Sequence, residues 1–75
     1  MELRVKHFRD RNGESIPTSF TVDHRHFDIF KILDRWDGID YRYFKIATPD
    51  GEIYILRHDL FTDIWSLKSL EGNSI

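Results

Sequence analysis

Apolar and polar positions alternate with a period of two along most of this chain. Leu3, Val5 and His7 fall on one side, and Glu2, Arg4 and Lys6 on the other, which is the pattern of a half-buried strand. The Asn12-Gly13 pair suits a two-residue type I′ turn, because both central positions need positive φ. With Arg11 opposite Glu14, counting outward sets Val5 against Phe20 and Leu3 against Val22. The same register puts His7 opposite Thr18. Both strands then turn their apolar side chains to one face, so turn chemistry and pattern agree.

A second hairpin centres on Thr48-Pro49-Asp50-Gly51-Glu52. Pro at the second turn position with Gly at the fourth favours a type I turn followed by a bulge. That register pairs Thr48 with Glu52, Ile46 with Tyr54 and Phe44 with Leu56. A last strand is predicted over Ile64 to Leu70, with Trp65 and Leu67 inward.

The stretch between the hairpins reads two ways. Ile29, Ile32, Leu33 and Trp36 fit a helical stripe, with Asp23 as cap and Gly38 as stop. Phe27 and Phe30 widen that stripe, and β-branched and aromatic residues dominate it, which favours a strand bulged near Phe30-Lys31 that buries most of them. Six short strands in an antiparallel meander result, closing into an SH3-like or related small barrel that protects the edges. The alternative is an α+β domain with a helix at about 24–36. Residues 1–70 are expected to form a single β domain and 71–75 a flexible tail.

Composition narrows the function. Seventy-five residues allow one domain with a thin core, which six Phe, three Tyr and two Trp help to fill. The absence of Cys excludes a disulfide framework and a thiolate zinc site, and fits a cytoplasmic location. No apolar run has the length of a membrane span, so no membrane association is expected. A net charge of −2 is unlike that of a dedicated nucleic-acid binder.

Candidate chemistry is sparse. His24 and His26, two apart on a strand, share a face, and with His7, His58, Asp23 or Asp28 they form a conceivable metal set. The plainer reading is a polar turn, Asp23-His24-Arg25-His26. His58-Asp59 with His7 and a hydroxyl such as Ser66 or Thr18 has the residue types of a catalytic set. No nucleophile elbow or oxyanion loop accompanies them. Asp34, Asp37 and Asp40 lack the ligand spacing of a calcium loop and read as turn formers. The expectation is a non-enzymatic protein without metal or cofactor.

The strongest functional candidate is a face formed by Tyr41, Tyr43, Lys45, Ile53, Ile55 and Arg57, opposite the apolar face of Phe44, Ile46, Tyr54 and Leu56. Its mixture of aromatic, aliphatic and basic groups suits a protein interface. The same mixture suits weak binding of single-stranded nucleic acid, for which Arg4, Lys6, Arg9 and Arg11 are further candidates. A barrel that wraps would instead make part of this face core. The leading expectation is a protein-interaction module with an unknown protein partner, monomeric or weakly dimeric.

The ordered apolar positions carry a family resemblance. They run Pro17-x-x-Phe20, Phe27-x-Ile29, Ile32-Leu33-x-x-Trp36, Tyr43-Phe44-x-Ile46, Tyr54-x-Leu56-x-x-Asp59 and Trp65-x-Leu67. This pattern resembles a family of short bacterial domains of unknown function, found alone or at the C-terminal end of Y-family, translesion-type DNA polymerases. It spans residues 17 to 67 and departs at Phe44, where the family often has Trp, and at His24-Arg25-His26, where the family has a turn with Gly. The resemblance implies strands over 27–36 and a link to DNA repair or replication proteins. It implies no activity and no catalytic residues.

Overall fold

The computed structural model describes residues 3–70, with side chains through residue 68. Its elements are β1 (Leu3–Arg9), β2 (Ser15–Val22), β3 (Arg25–Asp28), β4 (Lys31–Asp37), β5 (Tyr41–Ala47), β6 (Ile53–Asp59) and β7 (Ile64–Leu70). No helix occurs among the described residues, so the helical stripe over 24–36 is not realised. The strands form two antiparallel sheets, β1-β2-β3 and β4-β5-β6-β7, and every paired strand is a neighbour in sequence.

The described residues form seven strands, not six. The single bulged strand expected over 24–36 is broken at Ile29-Phe30, and its halves join different sheets. Two successive amides make the switch. Ile29 N–H donates to the Thr18 carbonyl of the first sheet (3.1 Å), and Phe30 N–H to the Ala47 carbonyl of the second (2.8 Å). The break also corrects the expected burial: Phe27, Ile29 and Ile32 pack on the core, whereas Phe30, Leu33 and Trp36 are exposed.

The first hairpin reaches the expected pairs, Leu3 with Val22 and Val5 with Phe20, by another route. The loop is longer than a type I′ turn. Asp10 N–H donates to the Glu14 carbonyl (2.8 Å), Gly13 N–H to the Asp10 carbonyl (2.9 Å), and only Gly13 takes positive φ (81°). The Asp10 carboxylate accepts the amides of Asn12 and Glu14, each at 2.9 Å, which favours this loop over the tighter turn. Near the loop Arg9 therefore pairs with Ser15, and His7 with Pro17 rather than Thr18. A bulge at Thr18 absorbs the odd residue and restores the outer register. The two-residue turn with positive φ at both positions occurs instead at Asp23 (48°) and His24 (75°), so Arg25 and His26 belong to β3.

The second hairpin follows its predicted register throughout, Phe44 with Leu56 and Ile46 with Tyr54. Thr48 N–H donates to the Glu52 carbonyl (2.9 Å), and Gly51 (φ 89°) closes the bulge. The last strand has its predicted limits, with Trp65 and Leu67 packed inward.

The core lies between the sheets. Phe20 from the first meets Phe44, Ile46 and Leu56 from the second, all essentially inaccessible. The Phe20 ring stacks on Phe27 (5.1 Å) and meets Tyr54 edge-on (5.3 Å). The sheets are linked at one side where β1 lies beside β7. They are linked again where the Glu14 carboxylate accepts Arg35 (2.6 Å) and lies 3.6 Å from Arg42.

Candidate functional site

The outer face of the four-stranded sheet is built in cross-strand rows. One runs Trp36, Tyr43, Arg57, Ser66; the next Asp34, Lys45, Ile55; a third Tyr41, Asp59, Ile64. Ile53 stands beside Ala47 at the far end. All six residues singled out in the sequence therefore lie on this face.

Its side chains are mutually fixed. Trp36 and Tyr43 stack with ring centres 5.3 Å apart and planes 10° from parallel. The Arg57 guanidinium sits 4.5 Å over the Tyr41 ring, and its Nε donates to Ser66 Oγ at 3.1 Å. Gly38 gives Tyr43 its place: a Cβ there would come within 3.3 Å of the tyrosine ring. Ile55 is 9% exposed yet lies outside the central core cluster, so its cover comes from neighbours on the outer face. That face is thus partly buried, in the direction of the alternative reading in which some of it is core.

The sequence alone missed Trp36 as part of this face, along with the apolar groups at its end. Ile39 is 98% exposed and Phe61 90%, and Ile64 and Leu60 are also accessible. Leu60 N–H donates to the Asp40 carbonyl (2.9 Å), which holds the β4–β5 and β6–β7 turns together. The β4–β5 turn runs Gly38-Ile39-Asp40-Tyr41, with Gly38 N–H donating to the Tyr41 carbonyl (2.8 Å), and counting outward from it sets Asp37 opposite Arg42 and Trp36 opposite Tyr43.

The β6–β7 turn is organised by carboxylates. Asp59 accepts the Thr62 amide (3.1 Å) and the Phe61 amide (2.9 Å), and these bonds, Thr62 first, hold its carboxyl below the ordinary range. Asp63 takes the left-handed conformation (φ 63°) and meets His58 Nε2 at 2.7 Å. The hydrogen bond from His58 is the main reason its carboxyl also lies low.

The sequence's other candidates are dispersed. His58 is buried and stacked on Trp65 at 4.2 Å, with His7 6.4 Å away, and it bonds Asp63 rather than Asp59. Ser66 sits on the opposite face with Arg57, and the Thr18 hydroxyl donates to the Lys6 carbonyl (3.2 Å). The residue types of the catalytic set are therefore not brought together. His24 lies in a turn and His26 on β3. Among the described residues no three of His, Asp and Glu converge as a metal site. Asp37 accepts Arg42 Nε at 2.8 Å, and Asp34 accepts the Arg35 amide. Of the four basic candidates, Arg4 and Lys6 share the outer face of the three-stranded sheet, opposite Thr21 and Ser19. Arg9 follows the bulge-shifted register and bears on Asp63, and Arg11 lies in the loop, so the four do not form one track. No protein-family model, curated protein or solved structure matches the chain.

Proposed function

We propose that this domain is a non-enzymatic protein-interaction module whose working surface is the outer face of the four-stranded sheet. The scaffold is read as a small barrel of the SH3-like kind, with β1 beside β7 as its seam. The observation that carries the reading is the preformed row of Trp36, Tyr43 and Arg57, with Tyr41 beneath the guanidinium. Aromatic and arginine anchors of this kind dominate interface energetics, and here little side-chain entropy remains to be lost on binding. The exposed Ile39, Phe61 and Ile64 at the end of the sheet extend the surface with apolar area.

A protein ligand suits this face better than nucleic acid. Trp36 and Tyr43 already cover one another, Arg57 covers Tyr41, and Asp34 and Asp59 stand within the rows, where they oppose phosphate. The resemblance noted in the sequence directs the search for the partner to DNA replication and repair proteins, and the domain to the bacterial cytoplasm.

The test is affinity capture from a bacterial lysate, with wild type, Tyr43→Ala and Arg57→Ala as baits. Amide spectra establish that each bait is folded. Each substitution is expected to weaken a captured partner by about thirtyfold, on the order of 2 kcal/mol. Folded variants that retain the partner, or variants that unfold outright, overturn the reading.

A further inference from the structure

The three-stranded sheet has an outer face of different chemistry. A shallow groove of about 320 Å³ runs over it, lined by Arg4, Lys6, Ser19, Thr21 and His26 with the edges of Val5 and Phe20. A second depression, sharing Arg4 and Thr21, continues it to Asp23 and His24 at the β2–β3 turn. Cross-strand register explains the grouping, since Arg4, Thr21 and His26 form one row and Lys6, Ser19 and Asp28 the next. The groove thus offers a guanidinium, an ammonium, two hydroxyls and an imidazole, a set rich in hydrogen-bond donors.

His26 is held at both ring nitrogens. Nε2 lies 3.0 Å from Asp28 Oδ1, and Nδ1 lies 3.3 Å from Thr21 Oγ1. These partners tie the direction of the threonine hydroxyl to the charge of the ring. When the imidazole is neutral and gives its proton to Asp28, Nδ1 is an acceptor and the Thr21 O–H points at it. When the imidazole is protonated, Nδ1–H donates to Thr21 Oγ1, and the threonine proton is released toward the groove.

We propose that this groove binds a phosphate-class oxyanion, with Arg4, Lys6 and Thr21 as donors and His26 as the proton-linked group that turns the Thr21 hydroxyl toward the ligand. Arg4 and Lys6 supply charge from β1, and the anion in turn favours the imidazolium. The other ionisable groups around His26 are Asp28 on its own strand, Asp50 across the β5–β6 turn, and Asp23 and His24 in the β2–β3 turn. A free phosphate group and the backbone of a nucleic acid present the same chemistry, and two probes separate them. This site is independent of the aromatic face proposed above.

The experiment is an amide and side-chain NMR titration of the whole chain at constant ionic strength, at about pH 5.5 and about pH 8, a window in which imidazole changes charge. Sulfate is the first probe, because its charge is the same at both pH values. An oligothymidylate of about ten nucleotides is the second. Saturable shifts at Arg4, Lys6, Thr21 and His26, with tighter binding at the lower pH, are expected for one probe or both. Oligothymidylate binding that sulfate displaces identifies a nucleic-acid backbone as the source, and sulfate binding alone identifies a free anion. Arg4→Gln should weaken binding about tenfold at both pH values. His26→Gln should abolish the pH dependence while leaving the amide spectrum of the core unchanged. Unsaturable shifts, shifts elsewhere on the surface, or affinity equal at the two pH values overturns the proposal.

Discussion

Ile55 and Leu56 are adjacent, both buried, and point to opposite faces of β6. Truncating each to alanine separates a surface from a second core. Leu56 is 0% exposed and stands between Phe44 and Leu67 in the central cluster. Neighbouring strands hold that cavity open, so Leu56→Ala should cost about 3–5 kcal/mol, the upper part of the range for such truncations. A chain of 75 residues has on the order of 4–11 kcal/mol in total, so this variant loses between about a quarter and all of its stability. Ile55 faces away from that cluster, beside Lys45 on the outer face, where exposed side chains can settle into the space left. Ile55→Ala should therefore cost about 1–2 kcal/mol. Urea unfolding followed by tryptophan fluorescence measures both, since Trp65 is stacked on His58 in the folded state. Equal losses for the two variants would mean that the outer face is packed as tightly as the inner one, and the interaction surface would have to be abandoned.

Two further outcomes follow from the turns. Gly51 has φ of 89° and open space where a Cβ would go, so Gly51→Ala should lose about 1 kcal/mol from backbone conformation alone, with no change in denaturant slope; an unchanged midpoint contradicts the assignment of the bulge. The Asp63 carboxyl is held below its ordinary value of 3.8, chiefly by His58, so its stabilising contribution is complete above that value and is lost as pH falls through the lower folded value. The stability gap between wild type and Asp63→Asn, measured by urea midpoints, should be fully open at about pH 6 and narrow progressively as pH falls below 3.8; a gap that does not narrow in acid refutes the linkage.

What the sequence could reveal was set by how local each determinant is. The second hairpin was legible because Pro49 and Gly51 fix the turn, and the turn fixes every pair out to Tyr43 and Arg57. The first hairpin was legible only in its outer pairs. The Asp10 carboxylate lengthened the loop, and the bulge at Thr18, beside a proline that lacks an N–H, undid the shift. Two compensating irregularities are invisible to a count from the turn. The break at Ile29-Phe30 was not legible, because it depends on where Thr18 and Ala47 place their carbonyls, far away in sequence. The aromatic face was half legible: Tyr41, Tyr43 and Arg57 followed from parity on β5 and β6, while Trp36 needed the β4–β5 register. The sequence offers His26 as a residue of a polar turn or, less plainly, of a metal set; Thr21 and Asp28 give it a different setting on β3.

The pair of amides at Ile29 and Phe30 has a kinetic consequence. Each sheet is assembled entirely from hairpins between consecutive strands, so nearly all the ladder contacts close short loops of low entropic cost. Pairing confined to consecutive strands keeps contact order below that of a β fold with crossover connections, which favours faster folding. The seam between β1 and β7 is the long-range exception, since it joins the two ends of the described chain. A folding nucleus is then expected in the second hairpin, where turn and register agree without correction. The three-stranded sheet would dock through the 29–30 junction, and the seam would form last. Destabilising changes at the seam should accordingly speed unfolding and leave the folding rate almost untouched.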